Sequence, residues 1–158
     1  MKYLPLNQGE FTIVDDEDFY RFQNVKLWKK SGKRFGGYAL MWFLGRETRL
    51  HRLIINCPRN FEVDHINGNR LDNRKENLRI CSHAENCINV SKRKNVTSQY
   101  LGVSRLKNNK LNPWVAIVFS NKKKYHIGCF PTELSAAMAR DMFAKEINGE
   151  FARLNFQV

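Results

Sequence analysis

The sequence predicts an α+β protein: a ββα unit followed by a three-stranded antiparallel sheet packed on one helix. Three observations lead there. Two β-type runs, "EVDHI" and "NLRICS", flank an Asn-Gly turn and run into an S-x-x-E helix start. Three more β-rich runs precede one long helical pattern in the last third of the chain. Basic charge is concentrated on the C-terminal side of a polar stretch.

At 158 residues the chain has room for one ordinary domain or two small ones, and 42% hydrophobic residues suffice for folded cores. No apolar run approaches the roughly 20 residues of a membrane span, and the start "MKYLPLNQGEF" lacks an apolar signal core. A cytoplasmic protein without membrane contact is expected. Cys57, Cys81, Cys87 and Cys129 form no CxxC pair, which argues against a disulfide scaffold or zinc knuckle and for reduced core residues. The net charge of +12 points to a polyanionic partner, with nucleic acid foremost. Residues 1–90 hold 15 Lys and Arg against 11 Asp and Glu, whereas residues 91–158 hold 12 against 4. Between them "VSKRKNVTSQY" reads as a basic linker, which sets domains at 1–95 and 96–158 with the boundary near Asn95.

In the first domain a turn at Ser31-Gly32-Lys33 separates two aromatic-rich runs, and Gly36-Gly37 precedes a strand from Tyr38 to Leu44. The aromatics are expected in the core. "TRLHRLIIN" fits a strand or a short helix, and His51-Arg52 within it suits either a phosphate contact or a solvated edge.

"VDHINGNRLDNRKENLRICSHAEN" carries the chemistry. Asp64 and His65 fall on the first strand, Asn67 to Asn69 form the turn, and a helix starts at Ser82 with Glu85 completing the capping box and runs through "HAENCINV". Asn86 sits on its first turns, so a cation could be gripped between strand and helix. The same residues also suit a plain hairpin, with Asp64 and His65 as caps and the asparagines as turn formers.

The pattern "DHINGN…DNR…ENLR…EN" over about residues 50–90 resembles the HNH nuclease motif, the ββα-metal fold, in its phage and intron-encoded homing variant. The resemblance implies that Asp64 and Asn86 are metal ligands, that His65 is the general base, and that Asn77 holds the hairpin loop. Asn86 stands where the motif usually closes with His, and His83, three residues earlier, ranks below it. The chemistry is compatible: imidazole accepts a proton near neutral pH, and carboxylate and amide oxygens suit Mg²⁺ or Mn²⁺ better than zinc.

After residue 96, "YLGVSRLKNN", "NPWVAIVF" and "KKKYHIGCF" read as three antiparallel strands. A helix from Thr132 to Asn148-Gly149 follows, with Leu134, Ala137, Met138, Met142 and Ile147 expected to pack on the sheet. The other face is expected to present Arg105, Lys107, Trp114, Lys122, Lys123 and Lys124. "YLGV", "WVAI", "HIGCF", the Ala-rich helix and "LNF" resemble the Apetala-two DNA-binding domain, which implies a sheet laid in the DNA major groove. Leu101 and Ser104 occupy that family's base-reading Arg positions, so its target sequence does not carry over, and Gly102 and Gly128 are expected to serve backbone geometry.

Together the resemblances imply a monomeric, site-specific DNA endonuclease of homing type. It would act on duplex DNA in a bacterial or phage-infected cell, using a divalent cation and no small-molecule cofactor. A DNA-binding regulator with an inactive nuclease module and an RNA-binding or RNA-processing protein are the alternatives.

Overall fold

The computed structural model describes residues 1–30, 37–88, 97–121 and 123–156. The turn expected at Ser31 to Lys33, Gly36, the boundary near Asn95 and Lys122 lie outside the described residues. The chain divides into two compact units, Met1–His83 and Ala84–Val158. The architecture is mixed, with small antiparallel sheets and few helices. No helix among the described residues is long and apolar enough to cross a membrane.

The first unit opens with an antiparallel pair, β1 (Lys2–Pro5) and β2 (Phe11–Val14), followed by α1 (Asp16–Phe22). Asp16, Glu17 and Asp18 crowd the first turn of α1, where the positive end of the helix dipole favours them. A three-stranded sheet comes next, ordered β3 (Trp28–Lys29), β4 (Ala39–Phe43), β5 (Arg46–Arg49). "TRLHRLIIN" divides: β5 ends at Arg49 and α2 (Leu50–Ile54) begins at once. The hairpin β6 (Glu62–His65) and β7 (Leu78–Cys81) completes the unit. Leu4, Val14, Phe22, Leu27, Met41, Leu50, Ile54, Val63 and Leu78 pool into one apolar cluster, so short elements that could not stand alone share one core. Several expected aromatics lie outside it: Phe11, Tyr20, Trp42 and Phe43 are exposed.

Of the helix expected from Ser82 through Val90, the described residues are helical over α3 (His83–Asn86), and Asn89 and Val90 lie outside the described residues. Of the cysteines only Cys81 is buried; all four are free thiols.

In the second unit β8 (Val103–Arg105), β9 (Trp114–Ser120) and β10 (Lys123–Phe130) form an antiparallel sheet with β9 central. On it packs α4 (Glu133–Asn148), started by a capping box in which Thr132 and Ser135 satisfy each other's backbone donors. The sheet-facing stripe differs from expectation. Ala136, Ala137 and Ala144 are buried, with Arg140 and Asp141 beside them, whereas Leu134, Met138 and Met142 are 50%, 54% and 75% exposed. The bulk in this core comes from Trp114, Ile127, Phe130, Tyr100 and Phe156, so the helix must approach closely and only small side chains fit beneath it.

Gly102 is a second close approach. At φ +73° its backbone lies in the left-handed region, and a Cβ there would sit 2.5 Å from the Ile117 carbonyl oxygen and 3.0 Å from Arg140 Nε. Gly102→Ala should therefore destabilise the protein by about 2 kcal/mol or more, measured as a lower urea midpoint. Gly149→Ala, also left-handed but in open space, should cost less.

Candidate active site

Asp64 and His65 stand on β6, opposite Arg79 and Leu78 of β7, and both are buried. Arg79 donates from Nε and Nη2 to Asp64 Oδ2 at 2.8 and 2.6 Å. A carboxylate has about four lone-pair sites, so Asp64 can accept this guanidinium and still offer oxygen to a cation.

The hairpin loop returns through residues 66–77 and is held by its own amides. Asn77 Oδ1 accepts from the Asn67 backbone N–H at 3.0 Å, and Asn77 Nδ2 donates to the Asp72 carbonyl at 2.8 Å. Arg74 grips the Asp72 carboxylate with two hydrogen bonds of 2.8 Å, and Asn67 Nδ2 donates to it at 2.9 Å. Arg74, with Asn67 behind it, holds the Asp72 pKa below the ordinary carboxylate value.

The loop is also tied to β2. Asn73 N–H donates to the Ile13 carbonyl and Ile13 N–H to the Leu71 carbonyl, both at 2.8 Å. Buried between them, Thr12 Oγ1 donates to the Leu71 carbonyl at 2.8 Å and accepts from Asn73 Nδ2 at 2.6 Å. This fixes the Asn73 amide with its oxygen toward His65 Nε2, 3.1 Å away. An amide oxygen can only accept, so toward Asn73 the His65 imidazole presents a protonated Nε2.

A ring cluster backs the imidazole. Tyr38 lies 5.9 Å from His65 and 5.0 Å from His51, and the two imidazoles are 5.1 Å apart. Arg49 and Arg70 sit over the Tyr38 ring at 4.8 and 5.0 Å. Burial holds the His65 pKa below that of a free imidazole, against the raising effects of Asn73 and Asp64. Burial, then the neighbouring His65 and Arg49, pushes His51 down to about 2. His51 is thus an interior residue, and Arg52 donates to the Phe61 and Pro58 carbonyls at 2.8 and 2.7 Å. For His51 neither a solvated edge nor a phosphate contact applies.

Asn86 lies on α3 in the second unit, and exposed His83 pairs through Nδ1 with Glu62 Oε1 at 2.8 Å. Among the described residues no cluster of three or more His, Cys, Asp or Glu could hold a metal. The Asp64 carboxylate offers hard oxygen donors, which suit a divalent cation such as Mg²⁺ or Mn²⁺ better than zinc.

The remaining candidates are in the second unit. Cross-strand partners share a face, and Arg105↔Trp114 falls in step with Val103↔Ala116, on the side covered by α4. Trp114 is half-buried against that core with the Arg105 guanidinium 5.8 Å from its ring, so neither lies on the open face as expected. Lys107, Lys123 and Lys124 are exposed. On the open face the register sets Lys124 beside Phe119 and His126 beside Ile117.

Sequence reasoning missed Asn73, Thr12, Tyr38 and Arg79. Asn73 stood in view within "DNR", but its partner Thr12 is 61 residues away and no local pattern links them.

A buried imidazole fixed in one tautomer beside a carboxylate, on a two-stranded hairpin, is the equipment of a hydrolase that activates water. Residues 56–87 match the HNH endonuclease family. The chain is also 34% identical, over 172 residues, to an uncharacterized HNH endonuclease of Acanthamoeba polyphaga mimivirus, covering 91% of this chain and 88% of that relative. No solved structure matches. The chain belongs to the HNH endonuclease family and is a DNA-cleaving hydrolase.

The buried histidines make stability depend on pH. Their folded pKa values lie below the unfolded value near 6.5, so the unfolded chain binds the extra protons: stability is complete above that pH and falls as pH drops toward the folded values. Thermal or urea melts between pH 6.5 and 4.5 should lose up to about 1.4 kcal/mol per pH unit for each histidine. His51→Gln should reduce that slope by about one proton. Asn73→Ala should lower cleavage about tenfold to a hundredfold at unchanged DNA affinity, because it frees the imidazole to change tautomer.

Proposed function

We propose that the chain is a site-specific, metal-dependent DNA endonuclease of homing type that leaves 3′-hydroxyl and 5′-phosphate ends. The observation that carries this reading is the Thr12–Asn73–His65 relay, which orients a buried imidazole next to the Asp64 carboxylate on one strand. His65 takes a proton from water, the water oxygen attacks phosphorus, and the bond to the 3′ oxygen breaks with its electron pair passing to that oxygen, which takes up a proton from solvent to give the 3′-hydroxyl. Asp64 and Asn86 would hold the divalent cation, Mg²⁺ or Mn²⁺, which when bound neutralises charge on the phosphoryl and departing oxygens. Arg79 orients the Asp64 carboxylate from across the hairpin, and Asn77 keeps the loop closed so that the Asp-His strand end stays fixed.

The second unit, by its resemblance to the Apetala-two domain, is the docking module. Its open face, with Lys124, His126 and Phe119, lies toward DNA, and Lys107 and Lys123 reach phosphates at the rim. Arg105 acts through Trp114, bracing the sheet edge as well as adding charge.

Cleavage of a plasmid library carrying DNA targets, with matched RNA transcripts as a second substrate, tests the reading: DNA should be cut at preferred sites and only with a divalent cation. His65→Ala should lower cleavage by about two orders of magnitude or more while DNA affinity stays nearly constant; full activity in that variant would remove His65 from the mechanism. Asp64→Asn should raise the Mg²⁺ concentration needed for half-maximal cleavage more than Asn86→Ala does, since it removes the one formal charge of the ligand pair. Lys123→Gln with Lys124→Gln should flatten the salt dependence of binding by up to about 0.9 log unit per contact without moving the cut site.

A further inference from the structure

The hairpin of β4 and β5 breaks a local rule. Its two-residue turn, Leu44-Gly45, has both residues at positive φ, +49° and +73°, the geometry for which Asn-Gly is preferred. A leucine there is strained by its own Cβ. It is also 82% exposed, so no packing offsets the strain. Trp42, 64% exposed, and Phe43 continue the apolar surface down the same hairpin. Strain kept without local compensation points to a role outside the fold.

At the base of this hairpin lies a cleft of about 640 Å³ lined by Arg46, Arg49, Arg52 and Arg59, with Leu40, Glu47 and Thr48. Its single carboxylate, Glu47, is already paired with Lys30 at 2.5 Å. Arg52 spends its donors on carbonyls of the 57–61 turn. Arg46 and Arg59 are exposed and have no ion-pair partner among the described residues. Four guanidiniums around one cleft repel one another unless an anion enters, and their planar forks suit phosphate oxygens. The cleft also leads to the chemistry: Arg49 lines it and stacks on Tyr38, and Tyr38 lies against His65.

We propose that this hairpin and its cleft form a second duplex-DNA contact beside the scissile bond. Arg46, Arg49 and Arg59 hold backbone phosphates, while Leu44 and Trp42 press against sugars and base edges in the groove, as apolar side chains do in proteins that open or bend a groove. The proposal rests on the DNA-cleavage reading above and deepens it by placing part of the substrate grip in the catalytic unit.

The test uses the full-length protein, with EDTA present for binding. Arg46→Gln with Arg59→Gln should weaken binding of duplex DNA and reduce the salt slope by about 0.9 log unit per contact, whereas Lys26→Gln with Lys145→Gln, an equal loss of charge elsewhere, should leave it nearly unchanged. Leu44→Asn gives the turn a residue suited to its geometry, so it should raise the melting temperature and yet weaken DNA binding severalfold. Equal slope losses for the two pairs would overturn the proposal. So would a Leu44→Asn protein that melts higher and binds DNA as tightly as before. If the same substitution instead turned a dimer seen by sedimentation into a monomer and left DNA affinity intact, the hairpin would be a contact between copies and the proposal would fall. Should the unaltered protein bind through this cleft yet cut no DNA, the cleavage reading would fail and the contact would stand.

Discussion

The catalytic unit depends on how β2 meets the loop between β6 and β7. That loop has little apolar content, and its backbone would satisfy itself equally well in many conformations. Two main-chain hydrogen bonds to Ile13 and the buried Thr12 hydroxyl remove that freedom, because Thr12 must donate to Leu71 and so can only accept from Asn73. The consequence travels by hydrogen-bond direction alone: one hydroxyl rotor sets one amide, and the amide sets one imidazole tautomer. A buried polar chain of this kind stabilises only when every member is satisfied, and here the Thr12 hydroxyl and the Asn73 amide each donate to an acceptor. The acidic start of α1 supports the same loop from its far end, with Asp15 accepting from the Lys75 backbone and Glu17 paired with the Lys75 ammonium.

The second unit solves a different problem. Its sheet is small and its bulk lies on the strands and the C-terminal tail, so α4 must come close and supplies alanine where a helix more often supplies leucine. Close approach leaves little apolar area to hold the tail. Polar bonds take that role: Asp141 accepts from the backbone of Asn155 and Phe156 and from Asn155 Nδ2, while Asn155 Oδ1 accepts from Leu101 N–H. Asp141 and Arg140 can be buried because each meets the other at 2.9 Å. The left-handed Gly102 follows from the same crowding, since Ile117 and Arg140 occupy the space a side chain would need.

Those two solutions explain what the sequence disclosed. The "NGN" turn, the strands around it, Asp64 and His65 as neighbours and the bounds of α4 were legible because each is written within a few residues, by turn chemistry, alternation or a cap. The sheet-facing stripe of α4 was misread because hydrophobicity selects Leu134, Met138 and Met142, while the packing distance selects the alanines beside them. Trp114 and Arg105 were assigned to the wrong face because facing depends on register with β8, which a lone strand does not reveal. His51 looked like half of a basic pair and is an interior ring, and α3 is shorter than its capping box suggested. Asn73 was invisible for the plainest reason: its role is defined by a hydroxyl 61 residues upstream.

Charge type separates the two halves more sharply than net charge does. Of the 15 basic residues in 1–90, nine are arginine, whereas eight of the 12 in 91–158 are lysine. Arginine offers a planar, always-charged fork that can stack and bind bidentately, and around the catalytic hairpin it does so internally: Arg79 on Asp64, Arg74 on Asp72, Arg49 and Arg70 on Tyr38. Lysine is a compact, hydrated point charge on a flexible stem, suited to following a phosphate backbone without demanding one geometry. A site that holds a substrate in one geometry, as proposed for His65, is better served by the first kind of cation. In the docking role proposed for the second unit, lysine suffices, and because its exposed ammonium groups are screened by salt more than the half-buried Arg79 and Arg74 pairs are, ionic strength should act on docking before it disturbs the hairpin geometry.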